Sequence, residues 1–283
     1  MRTRPRPRDR VLAFAQAHPQ EASYLTAREL GERLGISEST VIRAVQAAGF
    51  EGYPEFQRRL RQGLVGRRSA AERLAIHGDP LSRSFSRDIE NLKETWAAMP
   101  KGAFWQAAHL LAGAPRVWVF GLRMSHATAV VLELGLSFLG VNARLLAPRT
   151  ADVWDQFARV AAGDVVVAVS FPRYTRIAVE GTALARRQGA TVIAITDGPD
   201  SPLAPHAQVV LPAAYGIDGY VESFTASISL AQALLLAVGE LRGEEGRKAL
   251  EAREAIWAAQ RVYWSPDDEE PAIRPAGEAR ETG

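Results

Sequence analysis

The sequence predicts two domains of different fold class, an all-α domain followed by an α/β domain with a doubly wound, five-stranded parallel sheet. The first prediction rests on short amphipathic segments separated by Gly and Ser up to about residue 78. The second rests on Val- and Ile-rich runs that alternate with helical segments from Arg116 onward. Strands buried on both faces of a parallel sheet have such continuous apolar runs. A third observation, a change of charge along the chain, separates the two parts.

Composition limits the classes of protein to which the chain can belong. Its 283 residues are 47% hydrophobic, enough for a sizeable core, and include no cysteine. Disulfides, thiol nucleophiles and cysteine-ligated metals are therefore excluded, which fits a cytoplasmic protein. No apolar run reaches the ~20 residues of a membrane helix, and no apolar stretch typical of a signal peptide follows the basic start MRTRPRPRDR. We predict no membrane association.

Positive charge is concentrated at the front of the chain. The net charge is only +2, but residues 1–68 contain 13 Arg, no Lys and 7 acidic residues, a net of +6. Residues 265–283 hold 6 acidic residues and 2 Arg, and we predict an acidic disordered tail there. A basic front is typical of a domain that meets a polyanion, although an Arg-rich solvated face would give the same count.

The segment TARELGERLGISESTVIRAVQAAGF, residues 26–50, predicts a helix-turn-helix. Thr26 with Glu29 three residues later is a capping-box pattern, which starts the first helix. Gly35 permits the left-handed turn after that helix, and Ser37 caps the next one. Two helices joined by a short turn that contains Gly define this motif.

Each helix of this motif is expected to bury its apolar side, and the second helix to expose its polar side. Gly31 is small where the two helices must approach closely. The residues expected to face inward are Leu30, Leu34, Ile36, Val41 and Ala44. The polar side offers hydroxyls and a guanidinium to base edges and phosphates. The predicted DNA-binding residues are Ser37, Ser39, Thr40, Arg43 and Gln46. The alternative interpretation is a helical hairpin with no nucleic-acid role.

A linker helix is predicted between the two domains, at residues 79–100. Within it, Phe85, Ile89, Leu92 and Trp96 recur at spacings of four, three and four. One face of this helix is therefore apolar, and we expect that face to pack on another surface.

The two domains are assigned to residues 1–78, the helix-turn-helix domain, and residues 101–264, the α/β domain. The five strands are expected at 116–121, 143–148, 165–171, 191–197 and 208–214. The helices of the α/β domain are expected at 125–140, 153–160, 175–189 and 222–241. Ligands bind such sheets at the carboxyl ends of strands where the strand order reverses. A ligand is therefore expected at the loops that follow the strands, and the loop after the third strand, 170–175, offers hydroxyls and guanidiniums.

The first block also resembles a known family. Residues 9–62 look like the N-terminal domain of RpiR-type bacterial transcriptional regulators. That family has a Ser-Thr-Val-hydrophobic-Arg run before an LGF-x-G-[FY] segment; here the two segments are STVIR and AGFEGY, within residues 39–53. The resemblance implies a recognition helix that starts at Ser37 and a dimer on a roughly palindromic operator. The first arginines could form a minor-groove or backbone arm or a disordered leader; they are Arg2, Arg4, Arg6, Arg8 and Arg10.

Residues 116–240 resemble the SIS domain, the sugar-isomerase-type domain that forms the second half of the same regulators. The resemblance implies a flavodoxin-like strand order and a phosphosugar site. Related domains hold the phosphosugar with a Ser-x-Ser-Gly-x-Thr loop, whose ends Ser170 and Thr175 match. Their first loop is Gly-x-Gly-x-Ser, in which Gly121 and Ser125 match.

Both loops depart from the family pattern at a glycine. Arg123 stands at the second Gly of the first loop, and Pro172, Arg173 and Tyr174 replace the Ser-Gly centre of the other. Bulk there hinders the approach of backbone to a phosphate, whereas guanidiniums can bind a phosphate or carboxylate directly. We predict an anionic metabolite, with sugar phosphate the leading class; the alternative is Arg173 paired to an acid with no ligand. The predicted ligand-binding residues are Gly121, Arg123, Ser125, Ser170, Arg173, Tyr174 and Thr175.

No catalysis is predicted. Aldose–ketose isomerisation needs a base and a second group that opens the ring. Candidates of the right type are His126, His206 and Glu222, the last expected to open the final helix, but none lies in a catalytic motif. No His/Asp/Glu cluster has ligand spacing, so we expect no metal or cofactor.

The predicted function is a ligand-responsive, DNA-binding transcriptional regulator that acts as a homodimer or tetramer, with the linker helix as transmitter. Two alternatives remain open. One is a sugar-phosphate isomerase, and the other is an assembly module that does not bind DNA.

Overall fold

The two predicted domains form separate hydrophobic cores, one in the N-terminal domain and one on each face of the sheet in the α/β domain. The computed structural model describes residues 6–57, 59–60, 79–146, 153–218 and 220–264. The predicted acidic tail, and Arg2 and Arg4 of the basic start, lie outside the described residues.

The N-terminal domain is helical, as predicted. Its helices are α1 (Pro7–Ala17), α2 (Pro19–Tyr24), α3 (Ala27–Leu34) and α4 (Glu38–Ala47), and residues 53–57 are also helical. Val11, Leu30, Val41 and Val45 are fully buried and hold α1, α3 and α4 around one small core.

The turn between α3 and α4 confirms the helix-turn-helix prediction. The Thr26 backbone N–H donates to Glu29 Oε2 over 2.7 Å, and the Thr26 side chain accepts from the Glu29 N–H, which completes the capping box. Hydrogen bonds from Thr26 hold the pKa of the Glu29 carboxyl below its usual range. Gly35 is left-handed with φ 62°, and Ser37 caps α4. A Cβ on Gly31 would lie 2.7 Å from the Ile36 carbonyl oxygen, so only glycine fits this crossing.

The α/β domain contains the predicted five-stranded parallel sheet with doubly wound order β2-β1-β3-β4-β5. Its strands are β1 (Val117–Gly121), β2 (Ala143–Leu146), β3 (Val165–Val169), β4 (Thr191–Thr196) and β5 (Val209–Pro212). Every residue of β1 and β3 is buried, which explains their unbroken apolar runs.

Helices cover both faces of the sheet. In chain order they are α5 (Pro80–Ala98), α6 (Lys101–Gly113), α7 (His126–Phe138), α8 (Val153–Phe157), α9 (Arg176–Arg187) and α10 (Thr225–Ala259). The helices α6, α7 and α10 pack on one face, and α8 and α9 pack on the other. The sequence analysis did not assign α6 and made α8 three residues too long. None of the described helices is long and apolar enough to cross a membrane.

The prediction for the last helix was wrong at both ends. The strands β6 (Gly216–Asp218) and β7 (Val221–Ser223) pair as an antiparallel hairpin, and the helix starts only at Thr225. Glu222 therefore lies in a strand and does not open a helix. At the other end α10 continues beyond residue 241, through a kink at Gly243. The extension is charged rather than apolar and is stabilised by pairs such as Arg247–Glu251, so the end of the apolar run did not mark its end.

The apolar face of the linker helix does not pack on the described α/β domain. Phe85, Ile89 and Trp96 are 64%, 49% and 84% exposed and Leu92 is half-buried, whereas Asn91 and Thr95 are buried. On the inner face, the Ala214 N–H donates to Thr95 Oγ1 over 2.8 Å. The buried side-chain amide of Asn91 has no hydrogen-bond partner among the described residues.

We predict that Gly31→Ala lowers the free energy of unfolding by roughly 1–3 kcal/mol, because the new methyl would collide with a backbone oxygen that cannot move freely. The control is Gly102→Ala in α6, where nothing lies within 4 Å of the added Cβ. Alanine has the higher helix propensity, so this control should leave stability unchanged or raise it by up to about 1 kcal/mol. Chemical unfolding of both variants measures the difference; equal effects would contradict the close helix crossing.

Candidate effector site and nucleic-acid interface

The predicted DNA-binding residues lie along one exposed strip of α4 and its cap. Ser37, Ser39, Arg43 and Gln46 are exposed, and Thr40 is half-buried. The Ser37 hydroxyl lies 3.1 Å from that of Ser39 and 2.7 Å from that of Thr40, which groups three hydroxyls at the start of the helix. Arg43 Nε donates to the Ser39 carbonyl over 3.2 Å, so the guanidinium lies back along the same strip.

Arg43 is the basic residue on this strip, and its charge is available to a ligand. In α3, Arg28 pairs with Glu32 and Arg33 pairs with Glu21. Within the described residues, no carboxylate lies within ion-pair distance of Arg43. At the basic start, Arg10 belongs to α1 and its guanidinium donates to the Leu34 carbonyl, so this arginine anchors α1 to the end of α3.

A cavity of about 210 Å³ opens at the carboxyl ends of β1 and β3, where the strand order reverses. Five of the seven predicted ligand-binding residues line it: Arg123, Ser125, Ser170, Arg173 and Thr175. The loop after β1 and the loop after β3 thus meet at one site. Glu222 of β7 lines the same cavity, but the sequence analysis did not include it in the ligand-binding set.

Two serines of this cavity keep their hydroxyls free of protein partners. Ser125 is 8% exposed and Ser170 is 6% exposed, and both line the cavity. In the described part of the chain neither side chain makes a hydrogen bond, so both hydroxyls are available to a ligand. Thr175 instead caps α9, accepting from the Ala178 N–H over 3.2 Å. The first N–H groups of α9 have no partner within the helix and make its start attractive to an anion.

Arg123 and Arg173, which stand at glycine positions of the family pattern, adopt a left-handed backbone conformation. The φ angles of Arg123 and Arg173 are 54° and 71°, in the left-handed region. This conformation costs an L-residue roughly 1–2 kcal/mol. Both side chains are exposed, and neither pairs with a carboxylate among the described residues. Strained residues that cluster at one cavity indicate a functional constraint there.

Gly121 and Tyr174 do not line the cavity. A Cβ on Gly121 would lie 2.6 Å from the Ser125 carbonyl oxygen, so this glycine lets the first loop turn tightly. The Tyr174 hydroxyl donates to the Asp197 carboxylate, and its ring packs against the small cluster that contains Leu203. Burial, with the nearby charge of Asp197, raises the pKa of Tyr174. Both residues therefore stabilise the conformation of the loops without lining the cavity.

The three residues considered for catalysis are dispersed. His126 Nδ1 lies 3.2 Å from the Gly121 carbonyl oxygen, and His206 lies in a short 3₁₀ turn outside the cavity. Glu222 alone lines the cavity. Among the described residues no group of three His, Asp or Glu side chains has metal-site geometry.

The hairpin that carries Glu222 is hydrogen-bonded to α5. Ser223 Oγ donates to one carboxylate oxygen of Asp88 over 2.5 Å, and Thr225 Oγ1 donates to the other over 2.6 Å. Arg87 Nη1 also donates to the Ile217 carbonyl over 3.4 Å. The cavity wall and the linker helix are therefore joined by direct hydrogen bonds.

Comparison with known proteins found a family match for each of the two domains. Residues 7–65 match the helix-turn-helix domain, rpiR family, and residues 110–237 match the SIS domain. The sugar isomerase domain of an RpiR transcription factor from Sphaerobacter thermophilus is 29% identical, with a TM-score of 0.60 over 63% of this chain and 99% of that chain.

Two further solved structures share the fold at lower identity. The Vibrio vulnificus NanR protein complexed with ManNAc-6P is 19% identical, with a TM-score of 0.58 over 92% of this chain and 96% of that chain. A putative sugar-phosphate isomerase from Listeria monocytogenes is 16% identical, with a TM-score of 0.51 over 58% of this chain and 93% of that chain.

We predict that Tyr174→Phe lowers the melting temperature, because a partly buried hydrogen bond to a carboxylate is worth about 1.5–3 kcal/mol. Tyr220→Phe is the control, since Tyr220 is 61% exposed and should be replaceable without effect. Thermal unfolding measures both variants. An unchanged melting temperature for Tyr174→Phe would contradict the supporting role assigned to this hydroxyl.

Proposed function

We propose a function for this chain, which belongs to the RpiR-type transcriptional regulators: it binds operator DNA through α4 and responds to a sugar phosphate at the carboxyl ends of β1 and β3. The observation that carries the proposal is the cavity at the switch point of the SIS sheet. Two buried serines without protein partners and two unpaired arginines line that cavity, in a chain that begins with an rpiR-family helix-turn-helix.

DNA binding is proposed for the exposed strip of α4. Small hydroxyl side chains at the start of a recognition helix can approach base edges and phosphates closely, and Arg43 can bond guanine or a phosphate. The net charge of the first 68 residues, +6 from 13 Arg and 7 acidic residues, favours approach to a polyanion.

A second copy of the chain is needed for two half-sites, which lie about 34 Å apart in successive major grooves. The outward stripe of α5 supports a homodimer: Leu81, Phe85, Ile89 and Trp96 are all exposed on one side of this helix. An apolar stripe of this size on a soluble chain is typical of an interface. We propose that the stripe contributes to association between copies.

A phosphate group fits the cavity chemically. The Ser125 and Ser170 hydroxyls and the start of α9 offer hydrogen bonds, and the two arginines supply charge-assisted donors. The NanR structure with ManNAc-6P, which shares the fold, supports sugar phosphates as the ligand class.

Transmission is proposed to run from the hairpin to α5. A ligand that touches Glu222 acts on β7, and β7 is bonded through Ser223 to Asp88 of α5. The ligand changes DNA affinity only to the extent that it binds two arrangements of the dimer differently.

We propose a sensor in the cytoplasm rather than an enzyme. Glu222 gives the isomerase alternative one residue of the right type, but His126 is turned to a backbone carbonyl and His206 lies outside the cavity. Base catalysis and ring opening both need groups in reach of the sugar. No turnover of sugar phosphates by the purified chain is the expected result.

We predict that Arg43→Ala weakens operator binding by roughly 1–3 kcal/mol, concentrated at one base step if Arg43 reads a base. The shifted complex should contain two chains per operator. Gel shifts on the operator and on single-base variants at fixed salt measure the effect. Arg187→Ala, which removes the same charge from an exposed site at the end of α9, is the control. Undiminished affinity of Arg43→Ala would reject this assignment, whereas equal weakening on all sequences would indicate a phosphate contact.

We predict that Arg173→Gly weakens sugar-phosphate binding at least tenfold, since a charged hydrogen bond is worth about 1.5–3 kcal/mol. Glycine suits a φ of 71°, so the free protein should be no less stable. Arg261→Gly is a matched control, because Arg261 also has a positive φ, 47°, but does not line the cavity. Calorimetric titration with a panel of sugar phosphates measures both variants. If no member binds the wild type, the sugar-phosphate proposal fails.

A further inference from the structure

The charges that line the cavity specify the ligand more narrowly than a phosphate alone. Two guanidiniums and one carboxylate line it, from Arg123, Arg173 and Glu222. None of the three takes part in an ion pair within the described chain. The cavity therefore keeps its positive and negative groups apart, which leaves both signs available to a ligand.

A phosphate accounts for the arginines but not for Glu222. A phosphate dianion balances two guanidiniums and leaves the half-buried carboxylate of Glu222 facing the ligand uncompensated. A half-buried charge without a partner is unfavourable, and its repulsion of a nearby dianion adds to that cost. A ligand with a second acidic group would use both arginines but would be repelled more strongly by Glu222.

We infer that the preferred ligand is an amino sugar phosphate, whose phosphate binds the arginines and whose protonated amine binds Glu222. The inference rests on the proposed function and names the ligand class of the same cavity. With this ligand the charges cancel: two guanidiniums and one ammonium balance one dianion and one carboxylate. The ammonium supplies three donors to a carboxylate that has no other cationic partner in the described residues.

The position of Glu222 is suited to this role. It lies in β7, opposite Ile217 of β6, and the next residue, Ser223, is bonded to Asp88 of α5. The carboxylate is thus held on a paired strand at the cavity wall. A cation bound to Glu222 therefore contacts β7, the strand that is hydrogen-bonded to the linker helix α5.

The test compares three ligands that differ only at one carbon. Glucosamine 6-phosphate carries an ammonium there, glucose 6-phosphate a hydroxyl and N-acetylglucosamine 6-phosphate a neutral amide. Calorimetric titration of the full chain should show glucosamine 6-phosphate binding at least about tenfold more tightly than the other two, the effect of one charged hydrogen bond.

Two variants assign the preference to one residue. Glu222→Gln should reduce the affinity for glucosamine 6-phosphate at least about tenfold and leave the other two unchanged or tighter. Glu240→Gln is the control, because it removes a carboxylate from an exposed position of α10 away from the cavity. The melting temperature of each variant without ligand verifies that it is folded.

Each result decides between the two proposals. Equal binding of the three ligands to the wild type, or preference for the neutral amide, would overturn the inference and leave the sugar-phosphate sensor intact. A preference for the amine that survives in Glu222→Gln would also overturn it. Failure of all three ligands to bind would instead count against the proposed function. The wild-type comparison holds even if Glu222→Gln fails to fold.

Discussion

The pairing of β1 with β3 is the constraint on which the candidate effector site depends. The two strands are neighbours in the sheet although β2 and two helices separate them in the chain, and Gly121 lies opposite Val169 at their carboxyl ends. The loops that follow therefore start at the same level. Because the helices after β1 and β3 cover opposite faces of the sheet, a gap remains between the loops, and this gap is the cavity.

Local chemistry that needs no tertiary contact could be predicted from the sequence. The capping box at Thr26, the left-handed turn at Gly35 and the fully buried strands follow from short patterns. Together with the strand order that the family resemblance implied, these patterns were sufficient to place Ser125 and Ser170 at one edge of the sheet. The residues that departed from the family pattern, Arg123 and Arg173, were recognisable in the sequence, but their left-handed backbone was not.

Features that depend on distant partners could not be predicted. The orientation of α5 is set by Thr95 and Asp88, whose partners lie more than a hundred residues later, and a helical period of apolar residues favours the opposite face. The hairpin that carries Glu222 is too short to show alternation. Tyr174 stands beside the loop residues in sequence, yet Asp197 draws its hydroxyl away from the cavity.

The orientation of α5 gives one helix two kinds of surface. Its inner face is held by directional hydrogen bonds, which fix the rotation and height of the helix against β7. Its exposed side includes the apolar residues Leu81, Phe85, Ile89 and Trp96, whose contacts are non-directional. Substitutions of these four residues can therefore change the surface that the helix presents while its hydrogen bonds to β7 keep their geometry. The outer surface and the inner contacts of α5 can evolve as independent traits.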